Sequence, residues 1–168
     1  MKLYLKAPRS LVLQIRTDLN RRHAFAHERV GFLTVGASLL DDGALLLIVR
    51  DYSRVDDADY EEDPSCGARI GGGAFRKALE RAYRARSGLV HIHSHGGPGL
   101  PVFSKIDLKS GKEFVPGFFE AIPSMPHGMM VLSSDRAAGL FWLHKRGAPA
   151  PLRSVAFVGA PLLKFEAQ

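Results

Sequence analysis

A chain of 168 residues with 46% hydrophobic and 24% charged side chains can bury one sizeable core, and is too short for two ordinary domains. Its longest apolar run, Ala44 to Val49, falls well short of the roughly 20 residues a spanning helix needs, and the N-terminus lacks a signal-peptide apolar stretch. These features argue against a membrane protein and for a cytoplasmic one. Lysine and arginine exceed the acids by 23 − 17 = 6, a weak bias toward acidic partners. The single cysteine, Cys66, cannot close an internal disulfide, which fits the same compartment.

In chain order, Ser10 to about His23 carries Leu11, Leu13, Ile15 and Leu19 and predicts a helix with Ser10 as its N-cap. Strands follow at 30–40 and 44–52, joined by the turn Asp41-Asp42-Gly43. Residues 53–73 read as the least structured stretch. It holds Asp56, Asp57, Asp59, Glu61, Glu62 and Asp63, an acidic run without the spacing of a calcium loop. A helix is expected over 73–86, with Lys77, Arg81 and Arg84 on a solvated face and Phe75, Leu79 and Ala82 on the other. Leu89 to Ser94 reads as a short strand, and a helix starts near Ser104. A second hairpin is expected over 129–134 and 139–144, and a last strand over 155–158. The fold class is α/β: one domain spanning 1–168, with a sheet that is not purely parallel.

The chemistry gathers in GLVHIHSHGGPGLPVFSKIDLKS, residues 88–110. His91, His93 and His95 alternate, so an extended chain points all three to one face, with neighbours about 6.7 Å apart at Cα. Two imidazoles at that spacing can converge on one metal, whereas a third would have to stretch. The turn Gly96-Gly97-Pro98-Gly99 sets His95 at the strand end. Downstream, Ser104-x-x-Asp107 places a hydroxyl and a carboxylate near a helix start. Two histidines and one aspartate leave the fourth position of a tetrahedral zinc open, which is the arrangement of a catalytic site. Such a site needs a base, and Glu28 precedes a strand in HERVGFLTVG, where Gly31 permits a close approach. GARIGGG lacks the strand context of a phosphate cradle. His23, His27, His127 and His144 read as isolated surface or hydrogen-bonded histidines, and Cys66 has no evident base.

Taken together, Glu28-x-x-Gly31-x-Leu33, His93-Ser94-His95 and Ser104-x-x-Asp107 resemble the signature of the JAB/MPN family of JAMM zinc metalloproteases, over about residues 8–145. One departure is that eight residues separate His95 from Ser104, where the usual pattern has seven. It reads as a one-residue loop insertion, and pairing His91 with His93 instead fits worse.

The resemblance implies an MPN-type domain with a mixed β-sheet flanked by helices. His93, His95 and Asp107 would hold one Zn2+ per chain, Glu28 would act as the base, and Ser104 would donate to the developing oxyanion. His91 is left a core or supporting role. The implied activity is hydrolysis after the C-terminal tail of a ubiquitin or ubiquitin-like protein. The implied partners are that protein, its conjugates and E1- and E2-like enzymes of the same operon, as in bacterial antiviral defence. Alternatives are a metal-free MPN scaffold or binding module, carrier-protein tail processing in sulfur or cofactor biosynthesis, and, suggested by the charge, a nucleic-acid-associated protein.

Overall fold

The computed structural model describes residues 1–24, 26–160 and 163–166, the last four through their backbone. The elements run β1 (Leu3–Pro8), α1 (Arg9–Leu19), β2 (Val30–Leu39), β3 (Leu45–Arg54), β4 (Tyr60–Glu61), β5 (Arg69–Ile70), α2 (Gly72–Arg84) and β6 (Gly88–Ser94). There follow α3 (Lys105–Ala121), β7 (His127–Leu132), β8 (Ala137–Trp142), β9 (Ala150–Pro151), β10 (Ser154–Val158) and β11 (Leu163–Glu166). Nine strands form one sheet in the order β11-β10-β1-β3-β2-β6-β7-β8-β9, and β4 and β5 form a small separate ribbon. The sheet is mixed: β1 runs parallel to β3 and β10, and β6 parallel to β7, while β2 is antiparallel to both its neighbours. The fold is α/β with a sheet that is not purely parallel. No helix among the described residues is long and apolar enough to cross a membrane.

Alternation along the strands splits the core into two layers. On β2, Leu33 and Val35 join Val12, Ile15 and Leu19 of α1 in one cluster, while Val30 and Phe32 join α2 and α3 in the other. On β6, Val90 and Ile92 face the α1 layer, and Leu89 lies in the opposite one. His91 meets Phe32 and Phe114 there, so the odd-numbered histidines lie on the α2/α3 side. Ala74, Ala78 and Ala82 form the buried stripe of α2, letting it settle close to the strands. Fully buried Phe118 and Phe32 fill the space between, each contributing about 2–3 kcal/mol of apolar burial.

Several boundaries differ from the sequence reading. Strand β1 was not expected at all: its hydrophobic residues are only Leu3, Leu5 and Ala7, alternating with Tyr4 and Lys6, yet it pairs with strands on both sides. Because β1 runs to Pro8, helix α1 starts at Arg9 with Pro8 in the N-cap position and no side-chain cap. Ser10 is therefore inside the first turn and caps nothing. The helix stops at Leu19 rather than His23. The buried Arg29 guanidinium then draws the carbonyls of Arg21 and Arg22 and the carboxylate of Asp57 to itself. The second hairpin lies two residues earlier than expected, because the Ser133 hydroxyl accepts the Arg136 N–H at 2.9 Å and makes 133–136 the turn. Ser10 aside, these shifts leave the candidate site residues where the sequence put them.

His127, expected at the surface or hydrogen-bonded, is the first residue of β7 and has no exposed surface. Its Nδ1 accepts the Leu89 N–H at 3.0 Å, so the proton sits on Nε2 and is donated to the Ile122 carbonyl at 2.9 Å. Burial lowers its pKa, so the folded protein keeps it neutral at pH values where the unfolded chain takes up a proton. Stability from this group is therefore full above an unfolded pKa of about 6.5 and declines below it by up to ~1.4 kcal/mol per pH unit. Urea titrations from pH 7 to pH 5 should show a shallower pH slope for His127→Gln than for wild type.

Candidate metal centre

Strand register explains why distant residues meet. On the antiparallel β2–β6 pair, Val30 lies opposite His93. Carried two residues further, that register sets Glu28 opposite His95, just beyond both strand ends. His95 extends the β6–β7 pairing by donating its N–H to the Leu132 carbonyl at 2.8 Å. The start of α3 closes the third side. Ser104 is its N-cap, its hydroxyl accepting the Asp107 N–H at 3.1 Å while the Asp107 carboxylate accepts the Ser104 N–H at 2.7 Å. This reciprocal capping box fixes the Asp107 carboxylate before any ligand is considered.

The resulting donor set is compact. The Nε2 atoms of His93 and His95 are 3.1 Å apart, and Asp107 oxygens lie 3.5 Å from the first and 3.6 Å from the second. Tetrahedral zinc with bonds of about 2.0–2.2 Å requires donor–donor edges of about 3.3–3.6 Å, and Asp107 meets that range with Oδ1 toward His93 and Oδ2 toward His95. Glu28 Oε1 lies 3.9 Å from His95 Nε2, and one donor atom each from Glu28, His93 and His95 fall within 4.8 Å of one another. Side-chain exposure grades from 3% at His93 through 17% at Asp107 and 26% at His95 to 32% at Glu28. The centre thus has a closed floor and a mouth beside Glu28.

The donor chemistry fits a divalent cation. Two imidazole Nε2 atoms facing each other at 3.1 Å can hold one proton between them, whereas a cation satisfies both lone pairs and the carboxylate together. The Asp107 carboxyl is held below the ordinary carboxylate range. Burial opposes its charge, but the hydrogen bond and charge of His93 and the Ser104 N–H and hydroxyl outweigh it. His93 Nδ1 is buried with no hydrogen-bond partner among the described residues, so packing holds this ring: Phe103 lies 6.3 Å away and His91 5.8 Å, centroid to centroid.

The structure brings Glu28, His93, His95 and Asp107 together, and Ser104 stands beside them as the cap of α3. The loop 96–103 joins His95 to Ser104. There Gly97 and Gly99 adopt φ of +85° and +95°, and the loop is pinned to the β7–β8 turn. Gly97 O accepts both the Ser134 N–H and its hydroxyl, and Gly99 donates its N–H to Asp135. His91 is no part of the converging set. It packs between Phe32 and Phe114, where desolvation, reinforced by His93, pushes its pKa down to about 3 and keeps it neutral.

Two expectations need correction in detail. Gly31 does make room, but for Tyr52: a Cβ at Gly31 would lie 2.4 Å from the Tyr52 ring. The Tyr52 hydroxyl donates to Asp18 at 2.5 Å. The acidic stretch is more than a solvated loop. It pairs with neighbouring cations, Asp57 with Arg29, Asp59 with Lys77, and Glu61 and Asp63 with Arg69. Two of the three cations on the exposed face of α2 are thereby neutralised within the chain, Lys77 as above and Arg81 by Asp51.

Gly67 was missed by the sequence reading and is the residue that positions Glu28. Its carbonyl accepts the N–H groups of His27 and Glu28 at 2.8 and 2.9 Å, and a Cβ there would lie 2.6 Å from the Glu28 carboxylate. That carboxylate ends a flexible side chain, so Gly67→Ala should move it rather than unfold the protein. The side-chain NMR signals of Glu28 should therefore shift in Gly67→Ala, while Tm stays near wild type.

No protein-family model and no curated protein matches this chain. Among solved structures, the STIL N-terminal domain of Trichoplax adhaerens aligns with 79% of this chain at a TM-score of 0.33 and 10% identity. The chain spans 38% of that structure's length. A likeness this low carries no argument about fold family or function.

Proposed function

We propose that the protein is a zinc-dependent peptidase of the JAMM type on an MPN-like domain, acting on the C-terminal tail of a ubiquitin-like protein. The observation that supports this reading most is the convergence of His93, His95 and Asp107 with donor separations of 3.1–3.6 Å, beside a carboxylate at 3.9 Å. Two imidazoles and one carboxylate suit zinc and leave a coordination position open. A zinc ion bound there would supply a Lewis acid that polarises a carbonyl and acidifies a water to near pH 7.

The chain's own groups supply the rest. Glu28, at the mouth, takes a proton from the attacking water and returns it to the leaving amine, which must depart protonated. Ser104 offers its hydroxyl proton to the carbonyl oxygen as charge develops there, an interaction typically worth about 3 kcal/mol.

The test is incubation of the zinc-loaded protein with bacterial ubiquitin-like proteins carrying C-terminal extensions or lysine conjugates, followed by mass spectrometry. Cleavage after the terminal glycine, absent with Glu28→Gln, is expected. Intact substrates throughout the panel, with zinc bound, would overturn the peptidase reading and favour an MPN-like scaffold.

A further inference from the structure

On the far side of His95 from α3 the surface folds into a second cavity of about 120 Å³, well above the roughly 10–15 Å³ one water requires. Its walls come from three elements: Arg16, Leu19 and Asn20 at the end of α1, Ser94 to Gly97 after β6, and Leu132 to Ser134 after β7. His95 belongs to both this cavity and the metal centre.

Among the described residues, Arg16 is the one arginine or lysine lining the cavity. Its Nη1 donates to the Ser133 and Ser134 carbonyls, both at 2.7 Å, which fixes the plane of the guanidinium. Among the described residues, Nε and Nη2 have no protein acceptor, and no carboxylate comes within 4.0 Å of the group. The nearest candidate, Asp135, is felt only through its charge. Its Oδ1 is already engaged by the Gly99 N–H at 2.7 Å and the Ser133 hydroxyl at 3.1 Å. Burial works against the Arg16 charge, and Asp135 offsets that only in part. A half-buried guanidinium held rigid through one nitrogen, with two free donor positions beside a cavity, is suited to a planar anion. The loop beside the cavity is open at Gly96 and Gly97, where a Cβ would meet no atom within 4 Å.

We propose that this cavity is a carboxylate-binding subsite of the same centre, with Arg16 as the anion's partner. Resting on the peptidase reading, it narrows the substrate class to tails whose residue beside the scissile bond bears a carboxylate. That carboxylate is either the free C-terminus of a short extension or an acidic side chain.

Three probes separate these cases: acetyl-Gly-Gly-Ala with a free carboxylate, the same peptide as its carboxamide, and acetyl-Gly-Gly-Asp carboxamide. Each is titrated into metal-free protein, with binding read from the backbone amide NMR shifts of residues 94–97 and 132–134. Because neither zinc nor turnover is needed, the result stands whether or not the protein proves to be a peptidase. At least one carboxylate probe should bind 10-fold or more tightly than the Ala carboxamide, and Arg16→Gln should remove that preference. Preference for the free C-terminus would point to processing of a short extension, and preference for the Asp probe to an acidic residue within a longer partner. Equal binding of all three to wild type would overturn the proposal, even if Arg16→Gln failed to fold. A preference that survives in folded Arg16→Gln would overturn it as well.

Discussion

Asp107→Asn protein should bind zinc at least 100-fold more weakly than wild type while keeping its fold. The cause is separable from helix stability. Asp107 has two jobs: it accepts the Ser104 N–H at 2.7 Å, and it faces the Nε2 atoms of His93 and His95 at 3.5 and 3.6 Å. An asparagine side chain retains one carbonyl oxygen for the capping bond but offers the cation no negative charge. Loss of a hydrogen-bond partner behind a zinc ligand already costs about 10- to 100-fold in affinity, so loss of the one anionic ligand should cost at least the upper end of that range. Competition against a chromophoric chelator measures the affinity, and the Tm of the metal-free proteins should agree closely. Asp107→Ala, which removes both jobs, should in addition lose about 1 kcal/mol from the helix start.

Glu28→Gln should leave zinc stoichiometry unchanged and lower kcat by about 100- to 10,000-fold, the range that a positioned acid–base group contributes. Glutamine has the size and hydrogen-bonding reach of glutamate, so the backbone bonds from His27 and Glu28 to Gly67 persist. What disappears is the ability to take a proton and give it back. A drop in kcat with KM preserved would mark a role in the chemical step, whereas an equal loss of zinc would make Glu28 a fourth ligand. The 3.9 Å separation from His95 Nε2, longer than the edges among the other three donors, favours the base.

How far the sequence carries can be judged residue by residue. The elements framing the centre were legible because each has a strong local signature. Val30–Leu39 and Leu45–Arg54 are long β-rich runs around an Asp-Asp-Gly turn, and Ser104-x-x-Asp107 is a capping box written in side chains. Alternation put His91, His93 and His95 on one face and the helix start put Ser104 beside Asp107, but the choice of His93, His95, Asp107 and Glu28 came from the resemblance to the JAMM signature. The antiparallel register that sets Glu28 opposite His95 is long-range, and only the folded sheet displays it. Strand β1 escaped notice because its stability comes from two parallel neighbours remote in sequence.

The same holds for Gly67 and Arg16. Neither sits in a motif, and each matters through a contact made across the fold, to Glu28 in one case and to the Ser133 and Ser134 carbonyls in the other. The resemblance to JAMM proteases rests on the spacing of eight residues, Glu28, Gly31, Leu33, His93, Ser94, His95, Ser104 and Asp107. The convergence of four of them lends that reading support independent of any overall likeness to a solved protein.

The central claim is that His93, His95 and Asp107 form a zinc site, and X-ray absorption spectroscopy of protein loaded with one equivalent of zinc tests it most directly. The account predicts stoichiometric binding, with two imidazole nitrogens and oxygen donors at about 2.0–2.2 Å. Absence of bound zinc after reconstitution, or a spectrum without two imidazole ligands, would contradict it.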